Sequence, residues 1–321
     1  MESQSTGRIS IFNANLLYMI AMVLFVIVGS FVQAWDFNYG ILITEFLLIA
    51  LPTIIFVKAK GASVRRELRF NRLGIVDVAL VAITFISGYY VAVFINVLGQ
   101  IVLSLMGELI TPQIPFAENA GDYLVLLFVI AVSAGICEEI LCRGFIMRGY
   151  QSLGMWPSIV VSAVLFAILH LNVQNTLAPL FLGLLLGFVV YKTNSIFAGM
   201  LGHFINNAIS VTWGYIIMSL PFYNNISPEA MQEGLLTSSL ISVAFLFGII
   251  SLFAGAIMIF CLKAIYDRHP VVEAKASDVS FIDTLKNIRT SWPLFVSILI
   301  FIGMVVVEVF LIVRGKPPIN F

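Results

Sequence analysis

Apolar residues in this chain come in long, nearly unbroken blocks separated by short polar breaks. A helix crossing ~30 Å of hydrocarbon needs about 20 such residues at ~1.5 Å each. In those units the blocks predict membrane helices over Ile11–Trp35, Ile41–Val57, Gly74–Met106, Tyr123–Arg143, Trp156–His170, Thr176–Tyr191, Ser195–Leu220, Ser238–Tyr266 and Trp292–Val313. The predicted fold is all-α: a polytopic membrane helix bundle of about nine transmembrane helices, about eight to ten depending on where long blocks are divided. Period-two alternation is absent, which argues against an outer-membrane barrel. The first block exceeds the ~7–15 apolar residues of a signal peptide, so despite Arg8 and the loose Val32-Gln33-Ala34 triplet it reads as an uncleaved anchor. Three segments follow: N-terminal helices over 1–122, a central set over 123–220, and C-terminal helices over 221–321 with a polar linker at 268–291.

Composition fixes the solvent. Apolar residues make up 60% of the chain, mean hydropathy is +1.05 and only 11% is charged, against ~25% charged in soluble proteins. A lipid bilayer is therefore the expected partner and a soluble enzyme is excluded. The 17 basic and 17 acidic residues cancel, so there is no net basic field for nucleic acid. Three cysteines, with Cys137 and Cys142 inside an apolar block, form no disulfide framework.

Charge position sets the expected topology. Lys58, Lys60, Arg65, Arg66, Arg69 and Arg72 form the densest basic cluster and mark a cytoplasmic loop, whereas Glu108, Glu118, Asp122, Glu229 and Glu233 fall on the opposite side. Arg143, Arg148, Lys192, Lys263, Arg268, Lys275, Lys286 and Arg289 then lie inside with the N-terminus, and the C-terminus lies outside, where Arg314 and Lys316 run against the rule.

Polarity inside the blocks is where function is expected, because a central charge costs ~2.5–3.5 kcal/mol on insertion scales. Glu45, Asp77 and Glu308 are isolated acids that read as snorkelling or protonated residues, and His269 reads as a surface residue of the linker. The middle is denser: Glu138, Glu139, Arg143, His170, His203, Asn206 and Asn207 sit in otherwise apolar sequence. Glu139 and Arg143 share a helix face at i, i+4 in the favourable order, and Glu138 is turned about 100° away. Phe166 and His170 share a second face, His203 and Asn207 a third. At 1.5 Å per residue Glu138, His203 and His170 lie about 16, 12 and 21 Å from the basic ends of their helices, which predicts one shared polar cavity opening to the cytoplasm.

A carboxylate in low dielectric is a good general base for water, His can orient that water or bind a metal, and an Asn amide can hold an oxyanion. Glu138, His170, His203 and Asn207 suffice for peptide hydrolysis without a covalent intermediate. Glu138, His170 and His203 also serve as a two-His, one-carboxylate set for a divalent metal such as zinc, and the sequence leaves the two readings, and hence the cofactor, open. A structural ion pair at Glu139 and Arg143, and histidines as packing glue, are the plainer alternatives. There is no HExxH motif and no GxxxxGK[ST] loop.

Glu138-Glu139-Ile140-Leu141-Cys142-Arg143 fits EExxxR, Phe166 to His170 fits FxxxH and His203 to Asn207 fits HxxxN. In this order, on successive membrane helices, they resemble the CPBP (CAAX protease and bacteriocin-processing, or Abi) membrane proteases, which include the type II CAAX prenyl endopeptidases. The resemblance covers Tyr123–Thr212, under a third of the chain. It implies an intramembrane endopeptidase acting on a membrane-proximal or lipid-modified peptide or membrane protein. Glu138 would activate water with His170, His203 and Asn207 would support the oxyanion or a metal, and Glu139, Arg143 and Phe166 would hold the site together. Resemblance to bacterial members implies a bacterial cell membrane and peptide maturation or bacteriocin immunity. The reading from another class is a non-catalytic immunity protein, scaffold or permease that uses the same cavity for binding.

Overall fold

A computed structural model describes residues 9–110, 115, 117–220, 237–270 and 291–315. Glu229, Glu233, Lys275, Lys286, Arg289, Lys316 and most of the polar linker lie outside the described residues. The helices are α1 Ile11–Trp35, α2 Phe37–Ala59, α3 Val64–Glu67, α4 Ile75–Ser104, α5 Ala120–Leu153, α6 Met155–Leu169, α7 Leu177–Thr193, α8 Ile196–Met218, α9 Thr237–Arg268 and α10 Trp292–Arg314. Apart from short α3, each falls on one of the predicted blocks. Six of them, α1, α2, α4, α5, α9 and α10, are long and apolar enough to cross a membrane. Helix α6, which carries Phe166, and helix α7 are shorter, and α8 carries His203, Asn206, Asn207, Ser210 and Thr212 in its middle. Polarity at the centre of the bundle costs these helices lipid-phase apolarity, and burial against neighbours replaces it.

Helix α5 runs well past Arg143, where the apolar block ends. Nothing in Gly144-Phe145-Ile146-Met147 breaks a helix, and the chain turns only at Gly154, whose φ of +98° suits glycine. Wide, π-type turns at Leu127–Ser133 and Ile140–Ile146 flank the α-helical stretch Ala134–Glu139. Such turns recur at functional sites.

The helices alternate between two ends of the bundle. At one end Arg148 Nε meets Glu67 Oε2 at 3.0 Å, Asn71 Nδ2 donates to Asn194 O at 2.7 Å, Ile196 N donates to Arg69 O, and Arg268 Nε meets Asp77 Oδ1 at 3.0 Å. This is the basic end. At the other end α1 turns into α2 at Asp36, Glu108 N donates to Ile312 O, and Glu308 accepts from Val173 N at 2.6 Å. One buried core joins α1, α2 and α4 through α9.

Several isolated charges are partnered, contrary to expectation. Asp77 meets Arg268 and lies 3.1 Å from His269 Nε2, so neither is a lone or simply exposed residue. Glu308 accepts from Val173 N and Gln174 N at the start of a 3-10 turn. Arg143 is no interfacial marker but fully buried. Arg69 belongs to the basic cluster yet is only 2% exposed, and burial together with the nearby Arg148 charge pushes its guanidinium down to about 10. Its Nη2 donates to Gln151 Oε1, which also accepts from Arg148 Nη1 at 2.6 Å.

Candidate active site

The three motifs meet. Arg143 Nη1 donates to Glu139 Oε1 at 2.7 Å, as the i, i+4 spacing requires. The same oxygen lies 3.1 Å from His203 Nδ1. A carboxylate only accepts, so Nδ1 carries the proton and Nε2 is left as an acceptor. Arg143 also donates to Gly183 O at 3.2 Å and stacks its guanidinium 4.3 Å above the Phe166 ring. Phe166 meets His170 edge-on at 4.9 Å and His203 at 5.5 Å, and its carbonyl takes His170 Nδ1 at 2.9 Å. Glu139, Arg143 and Phe166 thus form a sealed polar and aromatic frame that fixes both imidazoles in one tautomer.

Close helix approach makes this frame possible. Gly183 and Gly187 of α7 pack on α6, where an added Cβ at Gly183 would lie 2.9 Å from Ala163 Cα. A Cβ at Gly199 would fall on Glu139 Oε2. Gly199→Ala is therefore expected to displace Glu139, lowering both thermal stability and activity; a wild-type melting temperature in detergent would contradict the close approach.

Glu138 sits outside the frame. Its side chain is 13% exposed and its nearest basic atom, His203 Nε2, is 3.9 Å away, too far for a hydrogen bond. Its Oε2 is buried without a hydrogen-bond partner. Glu138 lines a cavity of about 260 Å³ with His170, Asn207, Glu45, Gln33 and Ile130 among its walls. Asn207 donates to Ile130 O at 3.1 Å and accepts from Asn206 Nδ2. That fixes its amide plane and leaves one N–H uncommitted. His203 is buried behind this wall, 2% exposed, so the structure places Glu138, His170 and Asn207 at the cavity and His203 between Glu138 and Glu139. Among the described residues no group of three or more His, Cys, Asp or Glu side chains is arranged to hold a metal ion.

These motif residues sit inside a matched region. Residues 120–209 match the family described as type II CAAX prenyl endopeptidase Rce1-like. The Rce1-like segment holds Glu138, Glu139, Arg143, Phe166, His170, His203 and Asn207, and the resemblance seen in the sequence is borne out over it. It supports a CAAX-type membrane protease in general. No curated protein and no solved structure matches the chain. Two cavity residues, Gln33 and Glu45, lie outside the Rce1-like segment.

The cavity is built from one half of the bundle. Its walls are the second half of α1 (Phe25, Gln33), the first half of α2 (Ile41, Glu45, Ile49), α5 from Val129 to Glu138, the last turn of α6, and Asn207 of α8. A second hollow of about 450 Å³ shares Val129 and is lined by Phe128, Leu42, Tyr39 and Asp36 at the α1–α2 turn. Tyr18 of α1 and Leu141, Phe145 and Ile146 of α5 are fully buried in the core. The depth arithmetic expects an opening at the basic end; the hollow lined by Asp36 and Tyr39 lies at the opposite end of the bundle.

Proposed function

We propose that the protein is an intramembrane endopeptidase that hydrolyses a peptide bond in a membrane-proximal or lipid-modified substrate with water activated by Glu138. The observation that carries this reading is the division between two adjacent glutamates: Glu139 is locked by Arg143 and His203, whereas Glu138 faces a cavity with an unpartnered oxygen. Glu138 takes a proton from water as the oxygen attacks the peptide carbon. His170, its Nε2 left as acceptor, orients that water, and the free Asn207 N–H stabilises the oxyanion. His203 carries the fixed charge of Glu139 to the edge of the site and acts as a positioning residue.

Substrate enters along the hollow between α2 and α5. Leu124, Val125, Phe128 and Tyr39 on its walls are exposed apolar side chains, suited to a lipid tail or an apolar peptide flank. Purified full-length protein in liposomes should cleave a dye-quenched peptide carrying a farnesylated cysteine faster than its unmodified counterpart. Equal rates would remove the lipid-modified class and leave membrane-proximal peptides.

Since Lys58–Arg72 mark the cytoplasmic side, the mouth at Asp36 opens to the outer face. Single cysteines at positions 33 and 45, in a background lacking Cys137, Cys142 and Cys261, should react with a membrane-impermeant thiol reagent added outside intact cells. Labelling only from the cytoplasmic side would overturn this route.

A further inference from the structure

Glu45 reads in the sequence as an isolated acid, yet it is the second carboxyl group of the cavity. It belongs to α2, outside the Rce1-like segment, and lines the same 260 Å³ hollow as Glu138, His170 and Asn207. It is only 6% exposed, and its Oε2, like that of Glu138, is buried without a hydrogen-bond partner. The ionisable groups around it are Glu138, Cys137 and Cys142 of α5 and His170 of α6. Among the described residues no Lys or Arg pairs with it. Glu138 lies on the wall of the same hollow.

We propose that Glu45 is a catalytic residue, the general acid that protonates the leaving nitrogen, and that it shares a single proton with Glu138. This rests on the reading of Glu138 as the base. Two carboxyl groups that line one small hollow with buried, unpartnered oxygens and no Lys or Arg beside them cannot both ionise, so one keeps its proton. In the reaction the water oxygen bonds to the peptide carbon while its proton goes to Glu138. The C–N bond then breaks as the proton of Glu45 moves to the departing nitrogen. The products are a carboxylic acid and an amine, and the proton on Glu138 passes to Glu45, restoring the starting pair. No co-reactant besides water is needed.

The test compares full-length wild type, Glu138→Gln and Glu45→Gln by the new peptide termini each generates in cell membranes. Infrared spectra of the purified proteins in liposomes report the protonated-carboxyl band. Glu45→Gln is expected to lose the Glu138-dependent termini by about 10²-fold, the scale of general acid catalysis. The wild type is expected to show, at neutral pH, a protonated-carboxyl band that moves in Glu138→Gln. Should Glu45→Gln keep those termini, Glu45 is not the acid and the role of Glu138 stands. If Glu138→Gln itself keeps them, the underlying reading fails. The infrared arm decides even where Glu45→Gln does not fold: no band in the wild type, or a band unmoved by Glu138→Gln, overturns the shared proton.

Discussion

Glu138→Gln is expected to lower peptide cleavage by about 10²–10⁴-fold, the contribution of a positioned general base, while the protein stays folded. The amide has the shape of the carboxylate but cannot take a proton from water. Nothing structural is lost, because Glu138 lacks a partner for Oε2 and stands 3.9 Å from His203. Rates on purified protein, alongside a melting curve in detergent, separate the two effects. A folded Glu138→Gln that cleaves at the wild-type rate would remove Glu138 as the base.

Arg143→Ala should behave differently, losing stability as well as activity. Arg143 and Glu139 are both fully buried and 2.7 Å apart, and removing one partner of a buried pair costs about 3–5 kcal/mol because the other charge is left uncompensated. The loss also takes away the stack on Phe166 and the bond to Gly183 O, which hold α6 and α7 to α5. Glu139→Ala leaves the converse orphan. The double variant Glu139→Ala, Arg143→Ala should be less destabilised than the sum of the singles, since their interaction is counted twice in that sum. Melting temperatures of the three variants check this. Two single variants as stable as wild type yet inactive would place the pair in the chemistry instead of the frame.

Local spacing made half of this site legible. The Glu139–Arg143 pair and the Phe166–His170 contact follow from i, i+4 geometry alone, and depth along each helix brought Glu138, His170 and His203 to overlapping levels. What spacing could not show is which helices stand beside one another. Glu45 meets Glu138 only because α2 packs on α5, and Asp77 meets Arg268 across 191 residues; neither adjacency has a period in the sequence. The one available signal for Glu45 was its cost in a membrane helix, which applies equally to Asp77 and Glu308, both of which hold structure together. The length of α5 was misjudged for a similar reason. Hydropathy ends α5 at Arg143, but Arg143 is buried and the helix runs on to Leu153.

The most direct measurement compares peptide termini in membranes of cells making either the wild type or Glu138→Gln at equal abundance. A set of new termini that appears with the wild type and vanishes with Glu138→Gln is the predicted result. Identical termini in both would contradict a protease whose base is Glu138.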